Sequence, residues 1–138
     1  MAVPNKNIVI KTLNETFGCT FTTIKGKQIM YQGLRGDLKI VVCTPSSKLH
    51  ARGHGWFDLT SKQVDLLDKA DVSVLAVRLE GNKVYYANFE ELRKLMTSEN
   101  IHVNDKEGEH WKCYVWENSI EIRGSGQRLM INPKVISE

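Results

Sequence analysis

Residues 37–63 read DLKIVVCTPSSKLHARGHGWFDLTSKQ. LKIVVCT is a near-continuous apolar run, the pattern of a strand buried on both faces of a sheet. Pro45 ends it, because proline has no N–H to give to a ladder. SSKLHARGHG is then a loop with two glycines. WFDL is a short aromatic strand. Thr60 and Gln63 next fit a capping box, with Leu59 and Val64 spaced as the hydrophobic staple around it. Val64, Leu67 and Ala70 share one face of the helix that follows.

Working outward, Pro4 and Asn5 can open an N-terminal helix, in which Ile8, Val9, Leu13 and Phe17 recur at helical spacing. Gly18 is a natural C-terminal stop. CTFTTIKGKQIMYQG (19–33) reads as strand material broken at Lys25-Gly26-Lys27. Downstream, VSVLAVRLE (72–80) is a strand of β-branched and apolar residues, and Gly81-Asn82 offers a tight turn into KVYYAN. Asn88 caps a further helix, with Glu91 three residues on. TSENIHVNDKEGEH (97–110) is polar and reads as a loop, and WKCYVW, Glu117-Asn118 and SIEIRG read as a late hairpin. This order predicts an α/β (α+β) domain with one mixed central sheet flanked by helices and a C-terminal β-hairpin. A single domain over 1–138 is expected, its core at 8–96 and the hairpin extension at 110–131.

Hydrophobic residues make up 41% of the chain and charged residues 25%, the composition of a soluble globule and not of a disordered chain. No apolar run approaches the roughly 18–20 residues of a membrane helix. The N-terminal stretch lacks the apolar segment and cleavage site of a signal peptide. No membrane partner is expected, and the expected location is cytoplasmic. Cys19, Cys43 and Cys113 form no CxxC pair, so neither a zinc site nor a disulfide framework is signalled. The net charge of +3 is unevenly spread: residues 19–62 hold seven lysines and arginines against two aspartates, or +5. The first eighteen residues add +1, and the remainder sums to −3. A basic segment beside an acidic remainder suits a polyanionic partner; ordinary solvated lysines are the plainer reading.

Over residues 8–95 the chain resembles the PD-(D/E)xK nuclease superfamily, which includes small Holliday-junction resolvases and restriction-type enzymes. The likeness rests on an N-terminal helix, a strand pair, IVVCTPSS, GWFDLTSKQ and ADVSVLAVRLEGNKVYYANFEEL, in that order. It implies a restriction-endonuclease-like sheet and DNA as a partner. Catalysis in that family needs a divalent metal held by an Asp on one strand and an acid or Gln on the next. A Lys two residues after the second acid helps activate water. The metal lowers the pKa of that water and neutralises charge on the phosphate, and magnesium demands hard oxygen ligands. Here the second acid falls on Val41 and the lysine on Cys43, and IMYQG offers no first acid. The resemblance therefore implies a nuclease-like fold with a degenerate active site. A shifted alignment reads Asp37-Leu38-Lys39 as the D-x-K and draws Glu15 from the first helix. Glu15, Asp37 and Lys39 with magnesium would then make an active endonuclease.

His50 and His54 flank Arg52 in LHARGHG. Glycines break the helix that an HxxxH metal pair needs, and no acid completes a site. Cations and backbone N–H groups in such a loop suit phosphate. A helix N-terminus does too, which brings in Lys62 beside the capping Gln63. Lys48, His50, Arg52, His54 and Lys62 are thus the candidate phosphate contacts. Alternation in WKCYVW puts Trp111, Cys113 and Val115 on one face and Lys112, Tyr114 and Trp116 on the other. One face is core, and the other is left for a base or for a second copy of the chain. His110 beside Glu107 and Glu109 is a commonplace loop arrangement. No P-loop, GxGxxG, GxSxG or HExxH occurs. The leading expectation is a DNA-binding protein with a nuclease-like fold, lost catalysis, and no metal or other cofactor. The alternatives are the magnesium-dependent endonuclease and a protein-interaction module that dimerises through the aromatic hairpin.

Overall fold

The computed structural model describes residues 2–136. Helix α1, Lys6–Phe17, begins where the Asn5 side chain accepts from the Asn7 N–H, and it closes at Gly18 with φ 66°. Glycine takes that left-handed conformation without a Cβ clash. Val9, Ile10 and Leu13 face the core, while Ile8, expected inward, is 39% exposed. The helix is rolled so that Ile10 takes the inward place at that end.

Strands β1 (Thr22–Thr23), β2 (Met30–Arg35) and β3 (Leu38–Cys43) form an antiparallel meander. The chain then crosses over through β4 (Ser46–Ser47), β5 (Gly55–Thr60) and helix α2 (Ser61–Asp68). It returns as β6 (Val72–Leu79), parallel to β3; parallel neighbours require such a crossover. β7 (Lys83–Asn88) pairs antiparallel with β6 across Gly81 and Asn82, both at positive φ (101° and 59°). Asn88 caps the short helix α3, Phe89–Arg93. β4 also lies along β6, and β12 (Lys134–Val135) closes the far edge beside β7. This is the mixed, helix-flanked sheet that the element order implies.

The C-terminal hairpin is present as β9 (Gly108–Trp116) and β10 (Ser119–Ile122), and it is part of a second sheet. β5 pairs along β9, β8 (His102–Asn104) joins its start, and β11 (Arg128–Met130) joins β10. The aromatic strand WFDL thus belongs to this sheet and not to the central one. The stretch 97–110 is not a plain loop, since His102–Asn104 pairs with Gly108–His110. A three-residue strand with a single valine, itself exposed, is too short to show the alternation that would betray a strand.

The two sheets share one core. Phe57, Leu59, Trp111, Cys113, Val115, Ile120 and Ile122 pack with Val64 and Leu67 of α2 and with Val41, Cys43, Leu75 and Tyr85 of the first sheet. Ile40 and Val42, on the other face of β3, pack under α1. The capping box of α2 is formed in both directions between Thr60 and Gln63, with Leu59 and Val64 buried beneath it. Arg78 ties the ends together: Nε and Nη2 donate to the Thr44 carbonyl at 3.2 and 2.9 Å, and Nη1 to the Pro4 carbonyl at 3.2 Å. No helix among the described residues is long and apolar enough to cross a membrane.

Candidate nucleic-acid interface

The positions that would carry nuclease chemistry are filled with core. Val41 lies opposite Gln32 and Cys43 opposite Met30. Val41 is 1% exposed and Cys43 0%. Burial pushes the Cys43 thiol up to about 12, against the pull of the nearby Arg78 guanidinium. Arg78 is a cation close to Cys43, but backbone carbonyls occupy one donor on each of its nitrogens. Glu15 is exposed on α1, Asp37 lies in the β2–β3 turn, and Lys39 is exposed on β3. The backbone of Lys39 is clipped by Asp71, whose carboxylate accepts its N–H at 2.8 Å. No three His, Cys, Asp or Glu side chains among the described residues come together as a metal-holding group.

The outward face of the second sheet is built differently. Alternation turns Trp56 and Asp58 of β5, and Lys112, Tyr114 and Trp116 of β9, away from the core. Register then sets Trp56 beside Tyr114, Tyr114 beside Glu121, and Glu121 beside Arg128. Asp58 stands beside Lys112. Loop 48–54 folds over these residues. The His50 N–H donates to the His54 carbonyl at 2.9 Å and the Gly53 N–H to the His50 carbonyl at 2.8 Å, closing a tight turn. At its neck the Ser47 hydroxyl donates to the Lys48 carbonyl at 2.7 Å and accepts from the Trp56 N–H at 2.9 Å.

The turn places both histidines on tryptophans. His50 stacks on Trp56 with ring centres 5.9 Å apart and planes 27° apart. His54 lies on Trp116 at 4.7 Å and meets Tyr114 edge-on at 5.2 Å. Each indole also carries a cation: Lys112 Nζ is 4.0 Å from the Trp56 ring centre, and the Arg128 guanidinium is 4.9 Å from that of Trp116. The ring quadrupole attracts such cations. Carboxylates fix them in place, with Arg128 Nη2 at 3.1 Å from Glu121 Oε1 and Lys112 Nζ at 3.5 Å from Asp58 Oδ1. Trp116 Nε1 donates to the same Glu121 oxygen at 2.8 Å.

Lys48 and His50 line one groove of about 540 Å³ with Trp56, Thr60 and Gln63, and Asp58 and Glu107 add carboxylates to its wall. Arg52 is exposed at the tip of the turn, and Lys62 is exposed on the first turn of α2 beside Gln63. His54 is half-buried, its ring committed to Trp116 and Tyr114, and its Nδ1 has no hydrogen-bond partner among the described residues. The chain therefore brings Lys48, His50, Arg52 and His54 onto one loop with Lys62 next to it. Sequence reasoning placed Lys112 on the outward face with Tyr114 and Trp116 but missed Trp56 and Arg128. Alternation in GWFDLT does turn Trp56 away from Phe57, but the β5–β9 pairing that sets it beside Tyr114 joins residues far apart in the chain.

Comparison of the sequence with known protein families and with curated proteins finds no match to either.

Proposed function

We propose that this chain binds nucleic acid through loop 48–54 and the outward face of the second sheet, and leaves the strand uncut. The observation that carries this reading is the pairing of cation and ring: Lys112 with Trp56 and Arg128 with Trp116, under a loop that holds Lys48 and Arg52. Backbone phosphates are bound by cations, and unpaired bases by aromatic faces; this surface carries both, with His50 and His54 lying over the indoles on which a base would replace them. The non-cutting half of the reading is supported by Val41 and Cys43, which hold no oxygen ligand and lie in apolar core. The first sheet is mixed and flanked by helices, which is compatible with this reading.

The test is fluorescence anisotropy with labelled duplex and branched DNA across a salt series, with magnesium present. The recovered DNA is then run on a denaturing gel. Binding that weakens steeply with salt and intact DNA are the expected results. Cleavage lost in Asp37→Ala would instead establish Glu15, Asp37 and Lys39 as a working site. Absence of binding at low salt overturns the reading and turns attention to protein partners.

A further inference from the structure

We infer that the cleft between the start of α1 and strand β4 binds a phosphate-type oxyanion through Arg78, Lys6 and Lys48. The cleft encloses about 500 Å³, within the roughly 300–1,000 Å³ of small-ligand sites. These three cations line it, and no aspartate or glutamate does. None of the three takes part in an ion pair among the described residues. Glu80 is a neighbouring acid, its N–H bound to the Ser47 carbonyl at 3.0 Å. Its carboxylate accepts the Leu49 N–H at 2.9 Å and stays outside the lining. None of the stacked rings of the loop face lines this cleft, and binding here does not depend on theirs.

Arg78 is the centre of the site. It is half-buried and stands beside Ser46 across the β4–β6 pair. The bonds from Nε and Nη2 to the Thr44 carbonyl and from Nη1 to the Pro4 carbonyl fix the plane of the guanidinium. Nη1 and Nη2 each carry a second N–H, which these bonds leave free. Carbonyls bring only partial charge, so the cation is held but not neutralised. A charge drawn out of water without a counter-ion is costly, and burial lowers the pKa of Arg78 accordingly. An oxyanion in the cleft supplies the missing counter-charge. Lys6 is half-buried and donates to the Gln28 carbonyl at 3.0 Å, with further N–H groups left over; Lys48 is exposed on the rim. A phosphate monoester carries about −1.5 to −2 charge and three acceptor oxygens, one for each cation. A carboxylate brings less charge and fills fewer of these donors. The three cations carry the site, and the start of α1 only adds to their field.

The experiment is NMR titration of the full ¹⁵N-labelled chain with sodium phosphate at constant ionic strength, with sodium acetate as the control. Backbone signals of Lys6 and Ser46 and the Nε–H signal of Arg78 should shift and saturate at roughly millimolar phosphate, with acetate binding more weakly. Lys6→Gln and Lys48→Gln together should weaken phosphate binding at least about tenfold. Neither side chain is in the core, so this variant should keep the wild-type melting temperature in chloride. Free phosphate and the terminal phosphate of a nucleic-acid strand offer the same chemistry. Two short oligonucleotides, identical except for a 5′ phosphate, separate these sources. Tighter binding of the phosphorylated one, lost in the double variant, assigns the strand end. No gain from the 5′ phosphate, with inorganic phosphate still bound, assigns the free anion. Signals of Lys6, Ser46 and Arg78 that stay put up to about 50 mM phosphate, or a phosphate affinity unchanged in the double variant, would each overturn the inference.

Discussion

The two sheets use their faces in opposite ways. β3 of the first sheet is covered on both sides, by α1 over Ile40 and Val42 and by the shared core over Val41 and Cys43. β5 and β9 of the second sheet are covered on one side only, and the other carries tryptophans, histidines and paired charges. A strand covered on both sides can carry only packing, whereas a sheet with one open face has room for charges and rings. The rings proposed to meet nucleic acid here lie on the open face of β5 and β9.

The comparison can be broken most directly at Val41. Val41→Glu sets an unpaired carboxylate in the sealed core, and more than about 3 kcal/mol of stability should be lost. Denaturant unfolding measures this, and a near-neutral result would mean that water and ions reach β3 after all. Next in size is Gly55→Ala. The added Cβ would sit 2.5 Å from Leu79 Cδ1 and 2.9 Å from Ser47 Oγ. Leu79 is buried and has little room to move, so an overpacking cost of about 1–3 kcal/mol is expected, with a shift in Trp56 fluorescence as the loop neck is displaced. Trp56 emission unchanged in a fully stable variant would show that the neck is slack.

The open face is sharpened by Lys48→Ala and Arg52→Ala together. If each cation meets one phosphate, the slope of log affinity against log salt should fall by about 2 while the melting temperature stays put. An unchanged slope would remove the loop from the interface. The last contrast concerns the thiols and shows itself only at high pH. Burial raises Cys43 from the ordinary value of 9.0 to about 12, and Cys113 is raised in the same way. The unfolded chain ionises these thiols first and so binds fewer protons than the folded chain at high pH. Their stabilisation is therefore whole below pH 9 and is lost as pH rises toward 12. Thiol labelling of the folded chain should reach half-buried Cys19 alone, with Cys43 and Cys113 reacting only on unfolding. Fast labelling of Cys43 would break the contrast between the sheets.

What the sequence reveals follows from the range of each interaction. Thr60 with Gln63, Asn5 with Gly18, and Gly81 with Asn82 are local devices, and each is found where its residues imply. The apolar run of β3 and the alternation of β9 are likewise legible, because burial imposes a period on the residues themselves. The partner of β5 is not, since nothing in WFDL distinguishes a place beside β3 from one beside β9. The loop cations can be found by charge alone, but the rings beneath His50 and His54 depend on that pairing. The place of β8 is hidden for a related reason: three residues are too few to be read as a strand, so the register with β9 is invisible.

The Ser47 hydroxyl, which joins the Lys48 carbonyl to the Trp56 N–H, has a consequence for how this protein can change over time. It fixes the two ends of the loop independently of what lies between them. A flexible insertion between fixed ends costs only about 0.6 kcal/mol for each doubling of length. The loop is thus a region where new sequence can be tried at small thermodynamic risk, while its two attachment points are held to their present residues. Diversification of whatever this surface recognises should proceed by lengthening and rewriting residues 49–54, with Ser47 and Gly55 left alone.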